Sequence, residues 1–405
     1  MTQNRKINVM HVIADLNIGG GQEAVRTLVE YQASDGCQPI VCTFKDGPLR
    51  QEIEHMGIRV EILPARRHDV VALPFFIADM ARIWRSLACL VKEYRIDVVQ
   101  THLLRSLDFL VLLLLYTTDV RVVLWTFQNA NFEMPVSDSQ KHKWSVMLKN
   151  RSHRLLYRLS SRLVSGFVAV SDEVERAIAD IIRPVPGKIT VICNAVDVRR
   201  YGKPVDRMSL RNQLGLRPDA YVIAVVATFK EQKGHRYLIE AMASIVPQYP
   251  GVHVLLIGDG DLRAAMEAQV EALNLREHIH FLGTRKDVPA LLATCDLFVL
   301  PSLWEGLSVA LLEAAATGLP VVATRVSGTV QVVVPGKTGI LVPPGDAQHL
   351  ARAIEQLMTD PAQARAMGMA AKRRAEEEFS AQRQADEHLA LYRRLLQGEA
   401  GRCQG

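Results

Sequence analysis

Residues 301–322 read PSLWEGLSVALLEAAATGLPVV, and apolar runs flank the segment on both sides. DLFVLPS, which leads into it, and PVVATR, which closes it, are short apolar runs bounded by turn residues, the pattern of strands buried on both faces. SVALLEAAATG between them reads as a helix. Strand, helix and strand in this order predict a parallel pair joined by a right-handed crossover. The loop LWEGLS lies where the first strand hands over to the helix. Gly306 lets the chain turn tightly there, and the amides of Leu307, Ser308 and Val309 open the helix, offering N–H donors and a partial positive charge to an anion such as a phosphate.

This otherwise apolar segment keeps two carboxylates, Glu305 and Glu313, with seven residues between them. Glu305 precedes the helix and Glu313 sits inside it, roughly 7–8 Å farther along at the helical rise, so they are too far apart for an acid/base couple. A long ligand can still touch both, with a sugar near Glu305, a diphosphate at the helix start and a ribose at Glu313, because carboxylates accept paired hydrogen bonds from vicinal hydroxyls. The plain alternative is an ordinary acid before a helix and a buried ion-pair partner.

The same alternation extends outward over the chain. INVMHVIADL, QPIVCTF, RVEILP, IDVVQTH, VRVVLWTF, SGFVAVS and KITVICNAV read as strands in the first half, with helices between them. AYVIAVVATF, VHVLLIGDG, HIHFLGT, DLFVLPS, PVVATR and GILVPP repeat the scheme in the second. The expected fold class is α/β, two Rossmann-like domains each built on a doubly wound parallel sheet, as 405 residues suggest for a chain too long for one core. The boundaries read as 1–200 and 201–380, with a connector near VDVRRYGKPVD (196–206) and a helix over 381–405 whose apolar stripe needs a partner, expected on the first domain. A ligand is expected in a cleft at the carboxyl ends of both sheets.

Composition excludes several classes. Hydrophobic residues make up 49% and charged residues 22%, without a low-complexity tract, so nothing argues for disorder. The most apolar run, LDFLVLLLLY (107–116), contains Asp108 and falls well short of the roughly 20 residues a membrane span needs. It reads as a buried helix. The amino terminus lacks a cleavage region, which leads to the expectation of a cytoplasmic chain. Six cysteines without C-x-x-C spacing read as free thiols. The charge is uneven: 27 Lys and Arg face 21 Asp and Glu in residues 1–205, against 21 and 22 in the rest. The surplus peaks in KHKWSVMLKNRSHRLLYRLSSRL (141–163), with seven basic residues and no acid. Its apolar positions Trp144, Met147, Leu148, Leu155, Leu156 and Leu159 recur at helical spacing, giving a basic amphipathic helix. Either it is a packed helix with a solvated face, or it contacts anionic lipid headgroups or a phosphate-bearing acceptor. Few aromatics and no recognised module speak against nucleic acid. DGD at 259–261 has the look of a metal motif but reads as an ordinary loop, so no metal site is expected, and GDGDLR lacks a full G-x-G-x-x-G.

PSxxEGxxxxxxEAxAxGxPVV resembles the family 4 retaining glycosyltransferases of GT-B fold, and the likeness continues through IGGGQE, FVAVS, VICNAVD (Ala195 standing for the family's Gly), LIGDGDLR, FLGTRKDVPALLATCDLFVLPS and GKTGILVPPGD. The resemblance implies transfer of a sugar from a nucleotide donor with retention, without a bound metal or other cofactor, the donor being a UDP- or GDP-linked co-substrate. It implies that Gly20 and Gly21 bring amides to a phosphate, with Glu23 opening the following helix. Lys233 in FKEQKG would face the diphosphate leaving group, with Lys230 supplying a second cation where Thr228 replaces a frequent Arg. Glu305, Gly306, Leu307, Ser308 and Glu313 would hold the donor, and Arg285 lies in the loop expected at the base, where contacts are mostly backbone. His102, at the end of IDVVQTH, stands where the family places a histidine near the donor sugar, and Gln128 and Asn129 in TFQN stand at the acceptor, Gln128 replacing a frequent His. Ser327 and Gln331 are further departures, for Gly and Glu.

Three readings remain open on the sequence. One is a hexosyl- or N-acetylhexosaminyltransferase acting on a glycan or lipid-linked acceptor in cell-surface polysaccharide or glycolipid synthesis, peripheral on the inner membrane face. The others are a nucleotide-sugar epimerase of the same fold and a catalytically silent sugar-nucleotide-binding protein, the latter suggested by Thr228, Gln128 and Gln331.

Overall fold

The computed structural model describes residues 5–34, 36–64, 73–102, 104, 107–130 and 140–400, of which 73–77, 140–149, 399 and 400 by backbone alone. The chain divides into two units, one of Met1–Cys193 with Gln382–Gly405, the other of Asn194–Ala381. In the first unit seven strands, β1 (Ile7–Asp15), β2 (Cys37–Lys45), β3 (Arg59–Ile62), β4 (Val98–His102), β5 (Val122–Phe127), β6 (Gly166–Ala169) and β7 (Ile189–Val191), form one sheet in the order 3-2-1-4-5-6-7. In the second, β8 (Tyr221–Val226), β9 (Val252–Ile257), β10 (Ile279–Gly283), β11 (Leu297–Leu300), β12 (Val321–Thr324) and β13 (Ile340–Val342) stand in the order 10-9-8-11-12-13. Among the described residues these strands pair with one another in parallel. Val98, Val122, Leu124 and Phe167 in one sheet, and Val222, Leu255, Leu297 and Val299 in the other, are wholly buried, as strands covered on both faces require.

Both strand orders reverse once, between β1 and β4 and between β8 and β11. At such a reversal the loops leave the two neighbouring strands in opposite directions and open a crevice at their carboxyl ends, where ligands bind in doubly wound sheets. In register, Ile13 of β1 pairs with His102 of β4, so His102 ends its strand beside the loop that carries Gly20 and Gly21. In the second unit, Lys230 and Lys233 follow β8 while Glu305 follows β11. The sequence motifs of both halves therefore fall at the two reversal points.

The helix Ala381–Ala400 belongs, from Gln382 on, to the first unit. Its Leu389, Leu391 and Tyr392 share a core with Ile7, Val9, Val98, Val122 and Val168 of the sheet. Where the chain turns back, the Val196 amide donates to the Phe379 carbonyl and the Ala381 amide to the Val196 carbonyl, at 2.9 and 3.0 Å.

Two expectations differ from what is found. The apolar run 107–116 is not one buried helix but two short ones, Asp108–Leu112 and Leu114–Thr117, with Leu113 and Tyr116 exposed. At the junction the Leu113 amide donates to the Leu110 carbonyl and the Tyr116 amide to the Leu113 carbonyl, at 3.2 and 3.1 Å, tighter three-residue turns in place of the α-helical spacing. The Thr117 and Thr118 hydroxyls close the second helix on the Leu113 and Leu114 carbonyls at 2.6 and 2.7 Å. The helix Gln140–Ser160 forms, but Leu155, Leu156 and Leu159 point to solvent, and it is Tyr157 that is buried, its hydroxyl donating to Asp108 at 3.1 Å. Trp144, Met147, Leu148, Lys143 and Lys149 lie where only the backbone is described. Among the described residues the cysteines are free, and no helix is long and apolar enough to cross a membrane.

Candidate active site

The second unit assembles its site from two loops stitched together. After β8 the chain makes a single 3₁₀ turn, Glu231–Lys233, and leaves it through Gly234 at φ +61°. A Cβ at that position would meet the Pro301 carbonyl oxygen at 2.1 Å, so only glycine lets the Lys233 turn lie against the strand end that carries Glu305. The Leu303 amide donates to the Gln232 carbonyl at 2.7 Å, and the Gln232 side chain donates to the Trp304 carbonyl at 3.0 Å. These bonds bring Lys233 Nζ to 2.5 Å from Glu305 Oε1, in an ion pair whose carboxylate is buried.

Glu305 is also held from below. Ser302 Oγ donates to the same Oε1 at 2.6 Å, Thr324 Oγ1 donates to the Ser302 carbonyl, and Thr329 Oγ1 donates to the Thr324 carbonyl. All three hydroxyl residues are buried. Gly328 lies so close that a Cβ there would meet the Gly306 carbonyl oxygen at 2.2 Å and Glu305 Cβ at 3.1 Å. Oε1 thus takes both the lysine and the serine, and among the described residues the partners of the carboxylate are all on one oxygen. Oε2 remains as an acceptor for a ligand hydroxyl.

The helix Val309–Thr317 begins directly after this loop, with Ser308 as N-cap accepting the Leu311 amide at 3.4 Å. Its first amides have no carbonyl within the helix, the anion-binding arrangement expected from the sequence. Leu307 and Ser308 are buried, and the Leu307 carbonyl accepts from Asn194 Nδ2 at 3.2 Å. Glu313, one turn inward, accepts the Tyr201 hydroxyl at 2.5 Å. Lys230 is exposed at the edge of the same loop. Arg285 follows β10, two strands from the reversal, and its guanidinium is forked onto Asp287 at 2.7 and 2.6 Å, which holds the Asp287 carboxyl below its usual range. Its side chain is not part of the group around Glu305. Asp259, from the DGD run, engages the Gly260 amide and Arg263.

The first unit offers a different chemistry at its reversal point. Gly20 and Gly21 are the first residues of the helix Gly20–Ser34, and a Cβ at Gly20 would meet nothing within 4 Å, so the helix start is open. Glu23, in the first turn, is bound to Arg26 at 2.8 Å. His102 is buried, and its Nε2 lies 2.9 Å from His11 Nδ1, while its own Nδ1 is buried without a hydrogen-bond partner among the described residues. Burial, reinforced by the neighbouring His11 and His388, holds His102 well below the ordinary histidine pKa, so the ring is neutral. Gln128 and Asn129 follow β5, one strand farther out, Gln128 buried and Asn129 exposed.

Two family models match most of the chain: "Glycosyltransferase Family 4" over residues 18–200 and "Glycosyl transferases group 1" over residues 206–374. The chain belongs to the family 4 glycosyltransferases. Among curated relatives of this glycosyltransferase, the UDP-Gal:alpha-D-GlcNAc-diphosphoundecaprenol alpha-1,3-galactosyltransferase of Escherichia coli is 26% identical over 366 residues, covering 88% of this chain and 89% of that protein. The lipopolysaccharide core biosynthesis glycosyltransferase LpsE of Rhizobium meliloti is 38% identical over 150 residues, covering 37% of this chain and 43% of that one. Among solved structures, Anabaena HepE in complex with UDP-glucose superposes with a TM-score of 0.78 at 22% identity, covering 95% of this chain and 99% of HepE. A glycosyltransferase from Rickettsia africae gives 0.80 at 20% identity, covering 97% and 99%. At these identities the structural likenesses establish the GT-B fold, with its two parallel-sheet α/β units, and leave the site of this glycosyltransferase to its own residues.

The sequence reading placed Lys233 toward a diphosphate and did not anticipate its pairing with Glu305, 72 residues away. It also missed Ser302, Thr324 and Thr329 beneath the carboxylate, Tyr201 on Glu313, and His11 behind His102. A hydroxyl at the carboxyl end of each of two adjacent central strands, PS and AT, was the available signal for the first two.

Proposed function

We propose that this glycosyltransferase moves a hexose or N-acetylhexosamine, with retention, from a UDP- or GDP-linked donor to a glycan or lipid-linked acceptor in cell-surface polysaccharide or glycolipid synthesis. The observation that carries the reading is the Lys233–Glu305 pair beside the start of the helix Val309–Thr317. Lys233 keeps two of its three N–H donors beyond the one directed at Glu305. Together with the helix start and Lys230 it supplies positive charge to a departing nucleotide diphosphate, the role that a metal ion fills in other transferases. Glu305 Oε2 accepts a sugar hydroxyl, and Glu313, steadied by Tyr201, accepts from the ribose. In the reaction the bond from the anomeric carbon to the phosphate oxygen breaks, the acceptor oxygen bonds that carbon on the same face, and the acceptor proton passes to the leaving phosphate. Charge stabilisation then does most of the catalysis. The named relatives act on diphosphoundecaprenol-linked and lipopolysaccharide substrates, which supports a lipid-linked acceptor.

A membrane-surface location has its own support. Leu155 and Leu159 are 58% and 62% exposed, Leu156 and Leu163 lie beside them, and Arg151, Arg154, Arg158 and Arg162 are exposed among them. Leucines one helical turn apart, ringed by arginines, suit the headgroup boundary of an anionic bilayer. For the transfer reading, a thermal-shift screen of UDP- and GDP-sugars followed by donor hydrolysis assays with and without a chelator is the test. Stabilisation by one donor, with chelator-insensitive hydrolysis, is expected; product formed without any acceptor and carrying an isomerised sugar would point to epimerisation instead.

A further inference from the structure

His102 has one nitrogen bonded to His11 and the other bare, and a sequence of hydrogen bonds behind His11 determines which is which. It starts at the carbonyl of Gln384, which can only accept, so His388 Nδ1, 2.9 Å away, donates. The neutral His388 ring then has a lone pair on Nε2, to which Gln100 Nε2 donates at 3.3 Å, as it also does to Thr126 Oγ1 at 2.7 Å. With its amide nitrogen so committed, Gln100 turns Oε1 to Tyr392, whose hydroxyl donates to it. The Tyr392 oxygen accepts from Gln32 Nε2 at 3.1 Å, leaving Gln32 Oε1 to accept from His11 Nε2 at 2.7 Å. His11 Nδ1 therefore carries a lone pair, and His102 Nε2, 2.9 Å away, is the donor. What is left is His102 Nδ1, buried, without a proton and without a partner among the described residues. Every residue of the chain of bonds is buried, and burial pushes His11 down to about 3 and His388 down to about 4, so all three rings are neutral and each has one tautomer to choose.

We propose that the carboxy-terminal helix fixes the tautomer of His102, through Tyr392, Gln32 and His11 as positioning residues, so that His102 presents a bare Nδ1 acceptor to a sugar hydroxyl. The proposal rests on the reading that places His102 at the sugar. A buried, unpartnered acceptor costs free energy unless a ligand donor reaches it, and the bonded polarity behind it ensures that the acceptor, not an N–H, faces that ligand. The ring thus selects for a hydroxyl donor and against a hydroxyl held as acceptor.

The test is nitrogen NMR of the full-length protein carrying ¹⁵N-labelled histidine, with and without UDP- and GDP-hexoses. His102 is expected as a single species protonated on Nε2. Tyr392→Phe, which removes the hydroxyl linking Gln32 to Gln100, is expected to release it into a mixture of both tautomers and to lower kcat/KM for transfer by about tenfold, the size of one lost hydrogen bond. Gln32→Leu interrupts the sequence nearer His11 and must do the same, which keeps the test open should the tyrosine variant not fold. Leu389→Ala, in the same helix and core but outside the bonds, must leave the tautomer unchanged. A His102 that stays protonated on Nε2 in both Tyr392→Phe and Gln32→Leu, or that responds equally to Leu389→Ala, overturns the proposal. If the tautomer follows Tyr392 but the Nδ1 resonance ignores every nucleotide sugar, the positioning stands and the assignment of His102 to the sugar falls.

Discussion

The two reversal points solve the same problem, fixing a polar group at the carboxyl end of a buried strand, with opposite chemistry. In the second unit Glu305 is charged, held by an ammonium at 2.5 Å and a hydroxyl at 2.6 Å. In the first His102 is neutral, held by another neutral ring at 2.9 Å and, behind it, by amides and a phenol. The difference matches what each is proposed to meet, a diphosphate and its sugar in one case and an uncharged hydroxyl in the other. It also sets how each should fail.

The largest effect is expected from Lys233→Ala. It leaves a buried carboxylate without its cation, which costs about 3–5 kcal/mol of stability, and it removes charge from the leaving group, which lowers transfer by about 10²–10³-fold. Adding Glu305→Gln to Lys233→Ala should restore much of the stability, by urea denaturation, and none of the activity. Stability that stays low in the double variant would mean that the pair is not what the loops depend on.

Acid should weaken the first unit more than the second, where burial likewise holds His235 down to about 4 and lowers the half-buried His253 and His280. His11, His102 and His388 have folded-state pKa values depressed below the ordinary histidine value, so their neutral forms favour the folded state. That contribution is complete above about pH 6.5 and is lost as pH falls toward the folded values, at about 1.4 kcal/mol per histidine for each pH unit. Hydrogen exchange between pH 7 and 5 is expected to accelerate more in β1, β4 and the carboxy-terminal helix, with three fully buried histidines, than in β8 and β11, with His235 nearby. Equal acceleration in both sheets would contradict the contrast.

Gly328→Ala places a methyl 2.2 Å from the Gly306 carbonyl oxygen. Overpacking of this kind costs about 1–3 kcal/mol, and here it also displaces Glu305. Thermal denaturation together with nucleotide-sugar binding should show both losses, whereas Gly20→Ala, with open space around it, should leave stability nearly unchanged. The smallest effect concerns the exposed arginines: Arg154→Gln and Arg162→Gln should each weaken sedimentation with anionic vesicles by about 1 kcal/mol at low salt, and Leu155→Ser with Leu159→Ser should weaken it further. Unchanged binding in all of them would remove the membrane reading.

What was legible in the sequence was local. PSLWEGLSVALLEAAATGLPVV places Glu305, the helix start and Glu313 within one crossover, and the apolar runs give both sheets, because strand and helix periodicities are written in neighbouring residues. Lys233 could be singled out but not joined to Glu305, since the pairing depends on Gly234 and on loop-to-loop bonds across 72 residues. The hydrogen bonds behind His102 were wholly hidden: Gln32 and Tyr392 are 360 residues apart, and neither has a motif. Leu155, Leu156 and Leu159 had the spacing of a packed face and turned out exposed, because periodicity identifies a face without naming its partner.

The most direct test of the central claim is a calorimetric titration of UDP- and GDP-hexoses into the wild-type protein, Glu305→Gln and Lys233→Ala. The account predicts that one nucleotide sugar binds the wild-type protein and that both variants, folded by circular dichroism, bind it at least about tenfold more weakly, the loss of one charge-assisted hydrogen bond. A donor that binds all three alike, or the absence of binding by every nucleotide sugar of either base, would contradict it.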